Sequence, residues 1–320
     1  MSFSPDALNI DVEKEVERIV TGLRTQVGKT FKKRGAVVGV SGGVDSSVVL
    51  ALCVKAFGPN KVLVVLMPDQ DSSPDNFILT RDLIRRFDVE SIVEDMTPAL
   101  AGFGCYRRRD EAIKSVFPEY DMSYRAKIVL PENMLDTHTL NVFYLTIISP
   151  EGEEKTERIP LKEYLKIVAA SNFKQRSRMA MLYYHAEARN YSVIGTANKN
   201  EHEMGFFVKF GDGGADVKPI VHLFKTQVYQ LAGYLDVPEE IRKRTPTSDT
   251  YSAEQTQEEF FFRLPFHLLD LVWHGWEQGA AVADIAKATK LNEDQVEFAI
   301  EDLKRKIHTT DYLRANPVVI

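Results

Sequence analysis

Cysteine is scarce in this chain: Cys53 and Cys105 are the only two among 320 residues. No CxxC pair exists, which excludes a cysteine-rich zinc site and chemistry that carries sulfur on paired thiols. Cys53 lies in an apolar run and reads as a core residue. Long hydrophobic runs are missing as well. None approaches the ~20 residues of a membrane helix, so no membrane partner is expected. Basic excess is absent: 40 Lys and Arg stand against 46 Asp and Glu, a net charge of −6. The triplet Arg107-Arg108-Arg109 is too short to reverse that balance, and no nucleic-acid partner is expected. The opening, MSFSPDALNIDVEKEVERIV, lacks the basic start and apolar centre of a secretory signal, which makes the cytoplasm the expected location. A GxxxxGK[ST] phosphate loop, with its lysine, is also lacking.

What remains is an ordinary globular composition, 44% apolar and 27% charged. Its length suits one large α/β domain, or one domain plus a helical appendage. The informative stretch is AVVGVSGGVDSSVVLAL, residues 36–52. Residues 36–40 are apolar and rich in β-branched valine, the pattern of a central parallel strand. Ser41-Gly42-Gly43 interrupts it, and an apolar helix follows Asp45. Adjacent glycines let backbone approach a ligand, and a helix N-terminus offers unpaired N–H groups to an anion. Asp45 would repel a bare phosphate, so a Mg²⁺-nucleotide is the expected occupant. A tight turn that merely packs well is the plainer alternative.

Val12, Val16, Ile19, Val20 and Leu23 share one face of an expected helix. Strands are expected at 61–67, 91–93 and 191–195, alternating with helices, which predicts a doubly wound parallel sheet. The polar loop 67–74 falls at a strand's C-terminal end, where open parallel sheets bind ligands. Between about residues 102 and 166 the alternation breaks. We read an insertion there, with strands at 141–148 and 155–159 forming a hairpin. A helix is expected to open at Asn172, and another near Lys225. The expected division is a nucleotide domain over 1–266 and a C-terminal helical segment over 267–320, with Asn292 starting a helix and Trp273 and Trp276 serving as core or dimer contacts.

The blocks SGGVDSS, NFKQRSRM, GTANKNE, KFGDGGADVKP and HLFKTQVYQLAGYL, in chain order, resemble the NAD synthetases of the PP-loop ATP pyrophosphatase superfamily. The resemblance implies adenylation of the deamido-NAD carboxylate by ATP, then amidation by ammonia, with release of AMP and pyrophosphate. It implies that Ser41, Gly42, Gly43, Asp45, Ser46, Ser47, Thr196, Lys225 and Thr247 bind ATP. Asp45 and Glu201 would hold Mg²⁺, and Arg176, Lys209 and Asp216 would bind deamido-NAD. Asp45 and Lys225 would be catalytic, with Asp212 a candidate to receive ammonia's protons. A homodimer is implied. The leading segment is too short for a glutaminase domain, so ammonia would arrive free or from a separate glutamine amidotransferase.

The loop 245–258 resembles one that closes over the site. Departures from the family pattern are Phe260-Phe261-Phe262 where a glycine is usual near Phe262, Gln257 for an aspartate, Val208 for a threonine, and Arg305-Lys306 for a His-Lys pair. Two rivals stay open: a related ligase that amidates another carboxylate, and a nucleotide-binding regulator without turnover.

Overall fold

The computed structural model describes residues 3–129, 143–247, 251–253, 256–257 and 261–319. Helix α1 (Val12–Leu23) is capped by Asp11, which accepts the Lys14 N–H at 3.1 Å. Then β1 (Ala36–Gly39), α2 (Val44–Phe57), β2 (Val62–Leu66), α3 (Pro74–Phe87) and β3 (Glu90–Val93) alternate. Helices α4 (Thr97–Gly102) and α5 (Cys105–Lys114) precede β4 (Arg125–Val129), β5 (Tyr144–Ile148) and β6 (Glu154–Arg158). The long α6 (Leu161–Arg189) leads to β7 (Ser192–Ile194), α7 (Lys199–Met204), α8 (Lys225–Tyr234) and α9 (Glu239–Lys243). The chain closes with α10 (Phe266–Glu277), α11 (Val282–Thr289), α12 (Glu293–Thr309) and α13 (Asp311–Arg314).

The main sheet runs β3-β2-β1-β7, with every pair parallel. Ala36 of β1 stands beside Val62 on one flank and Ser192 on the other. Strand alternation sends side chains to opposite faces. Ala36, Val38, Val62 and Val64 pack against α1, α2 and α8. Val37, Leu63, Val65 and Val193 pack against Met179, Leu182 and Ala186 of α6. Both faces are therefore covered, as expected for a doubly wound sheet. The chain steps outward from β1 to β3, then returns to place β7 on the other flank of β1. The order reverses between β1 and β7, and a crevice opens beyond their C-terminal ends.

The region 102–166 differs from the expected hairpin insertion in two respects. The hairpin exists as β5 and β6, but β4 joins it in a three-stranded antiparallel sheet. Its inner face, with Ala126, Ile128, Leu145 and Ile147, buries Ile113 of α5 and Ile167 of α6. The expected start of a helix at Asn172 is also corrected: α6 begins at Leu161, inside the supposed insertion. Ile167, Ala170 and Lys174 recur every three or four residues on its buried face, so packing carries the helix about three turns earlier. Residues 141 and 142, assigned above to the hairpin, lie outside the described residues.

Helices α10, α11 and α12 form a separate apolar cluster around the fully buried Trp273. Leu8, Met204, Phe224 and Phe262 join it from elsewhere in the chain. Phe262, near which the resemblance leads one to expect a glycine, is 1% exposed in that core. Asn292 caps α12, accepting the Gln295 N–H at 2.8 Å. Among the described residues no helix is long and apolar enough to cross a membrane.

Candidate active site

The bend after β1 lies at the switch point. Gly42 takes φ +82°, a conformation an L side chain rarely adopts, and Gly43 is the N-cap of α2. The Ser46 and Ser47 hydroxyls donate to the Gly43 carbonyl at 3.0 and 2.9 Å, and Ser46 Oγ accepts the Ser41 N–H at 3.4 Å. Ser41, Gly42, Gly43, Asp45 and Ser46 line a cavity of about 130 Å³. Ser47 is fully buried behind them, bracing the turn through its hydroxyl.

The loop after β7 faces this bend. Gly195 lets the segment around Ala215 pack closely against this loop, because a Cβ there would lie 2.7 Å from Ala215 Cβ. Thr196, Glu201, Lys225 and Thr247 complete the small cavity, together with Tyr229, Arg244 and Gln257. Asn198 caps α7: its side chain accepts the Glu201 N–H at 3.0 Å, and Glu201 Oε2 accepts the Asn198 N–H at 3.1 Å. The same Asn198 donates from Nδ2 to Asp45 Oδ1 at 2.9 Å. Lys225, 1% exposed at the start of α8, pairs through Nζ with Asp45 Oδ2.

Electrostatics follow from this crowding. Burial, then the neighbouring Asp45 charge, holds the Glu201 carboxyl well above the usual range, with Lys225 opposing. Burial alone would lower Lys225, but the Asp45 and Glu201 carboxylates more than offset it and keep the ammonium charged. The site therefore holds one buried cation against two acids.

A larger cavity of about 630 Å³ adjoins the first and shares Ser41, Thr196, Glu201, Thr247 and Gln257 with it. Its apolar lining includes Leu66, Met67, Phe77 and Leu182. Asn172, Gln175, Phe207, Asp212 and Lys306 also line it. Asp212 accepts the Val208 N–H at 2.8 Å, and burial pushes its carboxyl up to about 6. The 67–73 loop is pinned by buried charge: Lys174 pairs with Asp69 and Asp71, Arg109 with Asp71, and Arg178 with Asp69.

The three residues assigned above to deamido-NAD are not gathered in one place. Arg176 Nε donates to the Lys209 carbonyl at 3.1 Å, and Lys209 Nζ donates to the carbonyls of Tyr312 and Ala315, both at 2.8 Å. Asp216 instead accepts from the Val193 N–H at 2.8 Å and the Tyr183 hydroxyl at 3.0 Å. Tyr183 stands seven residues after Arg176 on α6, a separation of about 10 Å along the axis. None of the three lines either cavity described above. Lys306, of the Arg305-Lys306 pair, donates to the Phe261 carbonyl at 2.8 Å and pairs with Asp302. Residues 248–250, 254–255 and 258 of the expected closing loop lie outside the described residues.

Sequence reasoning missed Asn198, Arg244 and Tyr229. Asn198 carried a legible signal, an Asn-x-x-Glu capping box after a strand. The other two are side chains of a helix and a loop whose direction only packing sets.

A parallel sheet with a serine-glycine bend and a buried acid–lysine cluster at its switch point is the architecture of the PP-loop fold. The NAD synthase family pattern matches residues 15–130 and 144–317. The chain belongs to that family. It is 49% identical over 312 residues to the NH(3)-dependent NAD(+) synthetase of Mesorhizobium japonicum, covering 98% of each chain. In fold it is similar to the NMN synthetase of Francisella tularensis (TM-score 0.66, 22% identity, covering 98% and 99% of the two chains). It is also similar to the NH3-dependent NAD synthetase of Campylobacter jejuni (TM-score 0.64, 21% identity, covering 98% and 100%).

Proposed function

We propose that the chain converts deamido-NAD, ammonia and ATP to NAD, AMP and pyrophosphate. A carboxylate oxygen of the dinucleotide attacks the α-phosphorus of ATP, and the bond to the β-phosphate breaks with its electron pair leaving on pyrophosphate. Ammonia then attacks the activated carbonyl carbon, AMP leaves with the C–O pair, and the nitrogen sheds a proton. A carboxylate becomes a useful electrophile only once its oxygen is a good leaving group, so the protein's task is positioning and charge neutralisation.

The observation that carries this reading is the Asp45–Lys225–Glu201 cluster at the mouth of the serine-glycine bend, beside a cavity of about 630 Å³. The bend's N–H groups and Lys225 would hold the phosphates, with Thr196 and Thr247 at the cavity wall. Arg176, Lys209 and Asp216, which line neither cavity, would contact the part of the dinucleotide that extends beyond them. Asp212, its carboxyl raised to about 6, is suited to take a proton from the attacking nitrogen.

Asp45 and Glu201 would hold Mg²⁺: both offer hard oxygen donors, and a divalent cation would offset the burial and the Asp45 charge that raise the Glu201 carboxyl. When bound, the ion would neutralise phosphate charge and polarise the α-phosphoryl group. A homodimer belongs to the same reading, and exposed Leu161 and Leu165 on α6 supply apolar surface for one. So does a cytoplasmic location.

The test is incubation with ATP, Mg²⁺, ammonia and deamido-NAD, following NAD formation, alongside ATP–pyrophosphate exchange. Asp45→Ala should abolish exchange with the fold intact; undiminished exchange would remove the role given to Asp45. The fold likeness to an NMN synthetase supports a second reading, amidation of a mononucleotide carboxylate. Competition between deamido-NAD and nicotinic acid mononucleotide separates the two.

A further inference from the structure

We propose that Asp270, on α10, is a positioning residue that acts with Asn200 to present Lys225 to Asp45. This role rests on the reading of Lys225 as a phosphate-contacting group. Helix α8 begins at Lys225 with Phe224 as its N-cap, and no N-cap side chain accepts from its first N–H groups. A helix start leaves those donors in need of partners. Here they are served from outside. Asp270 Oδ2 accepts the Thr226 N–H at 2.9 Å, and Asn200 Oδ1 accepts the Lys225 N–H at 2.9 Å. Asn200 Nδ2 in turn donates to Asp270 Oδ1, so the two side chains form one bridge under the helix end. Both are 0% exposed.

The grip reaches the other end of Lys225 as well. Its Nζ lies 5.5 Å from the centroid of the Phe266 ring. Phe266 precedes Asp270 by four residues, so the two share one face of α10. That face meets the Lys225 backbone through the Asp270–Asn200 bridge and the ammonium through the ring. A lysine side chain otherwise samples many rotamers, and holding it costs entropy. Bracing at both ends keeps the charge beside Asp45. The C-terminal helices thereby help to set the geometry at the serine-glycine bend.

The bridge has a fixed order of donors and acceptors. In Asp270→Asn the new amide can face Thr226 correctly only by turning its NH₂ toward the NH₂ of Asn200. Flipping Asn200 moves the same conflict to the Lys225 N–H. Exchanging the pair, Asn200→Asp with Asp270→Asn, restores every contact: Asn at 270 accepts from Thr226 and donates to Asp at 200, which accepts from Lys225.

The experiment measures ATP–pyrophosphate exchange, the KM for ATP and for deamido-NAD, and the melting temperature in wild type, Asp270→Asn and the exchanged pair. Asp270→Asn should lose about tenfold or more in exchange turnover, the cost of one unpaired buried donor, with the KM for deamido-NAD unchanged. The exchanged pair should recover to within about threefold of wild type. Asp270→Asn as fast as wild type overturns the role, as does a folded exchanged pair no faster than the single variant. If Asp270→Asn fails to fold, the rate of the exchanged pair against wild type decides. Wild-type protein inert in exchange would sink the functional reading itself, and this role with it.

Discussion

Asn198 donates to Asp45 across 2.9 Å, although 153 positions separate the two in the chain. One side chain thus caps α7 and orients the acid of the bend. The roles can be separated. Serine also caps helices and would keep the Ser-x-x-Glu box with Glu201, but it is too short to reach Asp45. Asn198→Ser is expected to leave the melting temperature close to wild type and to lower ATP–pyrophosphate exchange about tenfold, the value of one lost hydrogen bond to a charged group. Exchange kinetics and differential scanning fluorimetry check the split.

Asp212 predicts a pH signature. Burial raises its carboxyl from 3.8 to about 6, against the opposing Val208 N–H bond. An acid raised on folding binds more protons in the native state between those values, so stability falls as pH rises through that window. Below it the penalty is absent, and above it the penalty is constant. Asp212→Asn keeps an acceptor for Val208 and has no titration. Relative to that variant, wild type is expected to lose about 5 °C of melting temperature between the lower and upper pH. Parallel curves for the two proteins would refute the assignment.

The buried cluster under the 67–73 loop predicts a stability defect coupled to ligand binding. Lys174 is 2% exposed and pairs with both Asp69 and Asp71. Lys174→Met would leave their charge to Arg109 and Arg178 alone. Urea denaturation is expected to show a loss of about 3 kcal/mol, the usual result of removing one partner from a buried pair. ATP binding should weaken too, because Met67, Ser72 and Ser73 line the larger cavity. Calorimetric titration at a temperature where the variant is folded measures that.

The nucleotide half was largely legible in the chain. Residues 36–52 read as strand, glycine bend and helix, and those elements are β1 and α2 around Gly42. Such local signals survive folding because β-branched runs, paired glycines and caps act over a few residues. The acceptor half was less legible. Strand β4 went unseen because its run, Arg125 to Val129, is only 5 residues long and stands out as a strand only once β5 supplies a partner. The start of α6 was misplaced because Ile167 and Ala170 reveal their face only against the inserted sheet and its neighbours.

By itself, the sequence determined the alternating strands and helices, the bend with its acid, and the kinship that the family match bears out. Those features depend on local backbone preference and hydrophobic period, which every short segment carries within itself. Only the tertiary structure decided that Asn198 and Lys225 converge on Asp45, and that Arg176 and Lys209 meet each other while Asp216 secures β7. Contacts between residues far apart in the chain exist only after the sheet order places β7 beside β1, and no local preference encodes that distance.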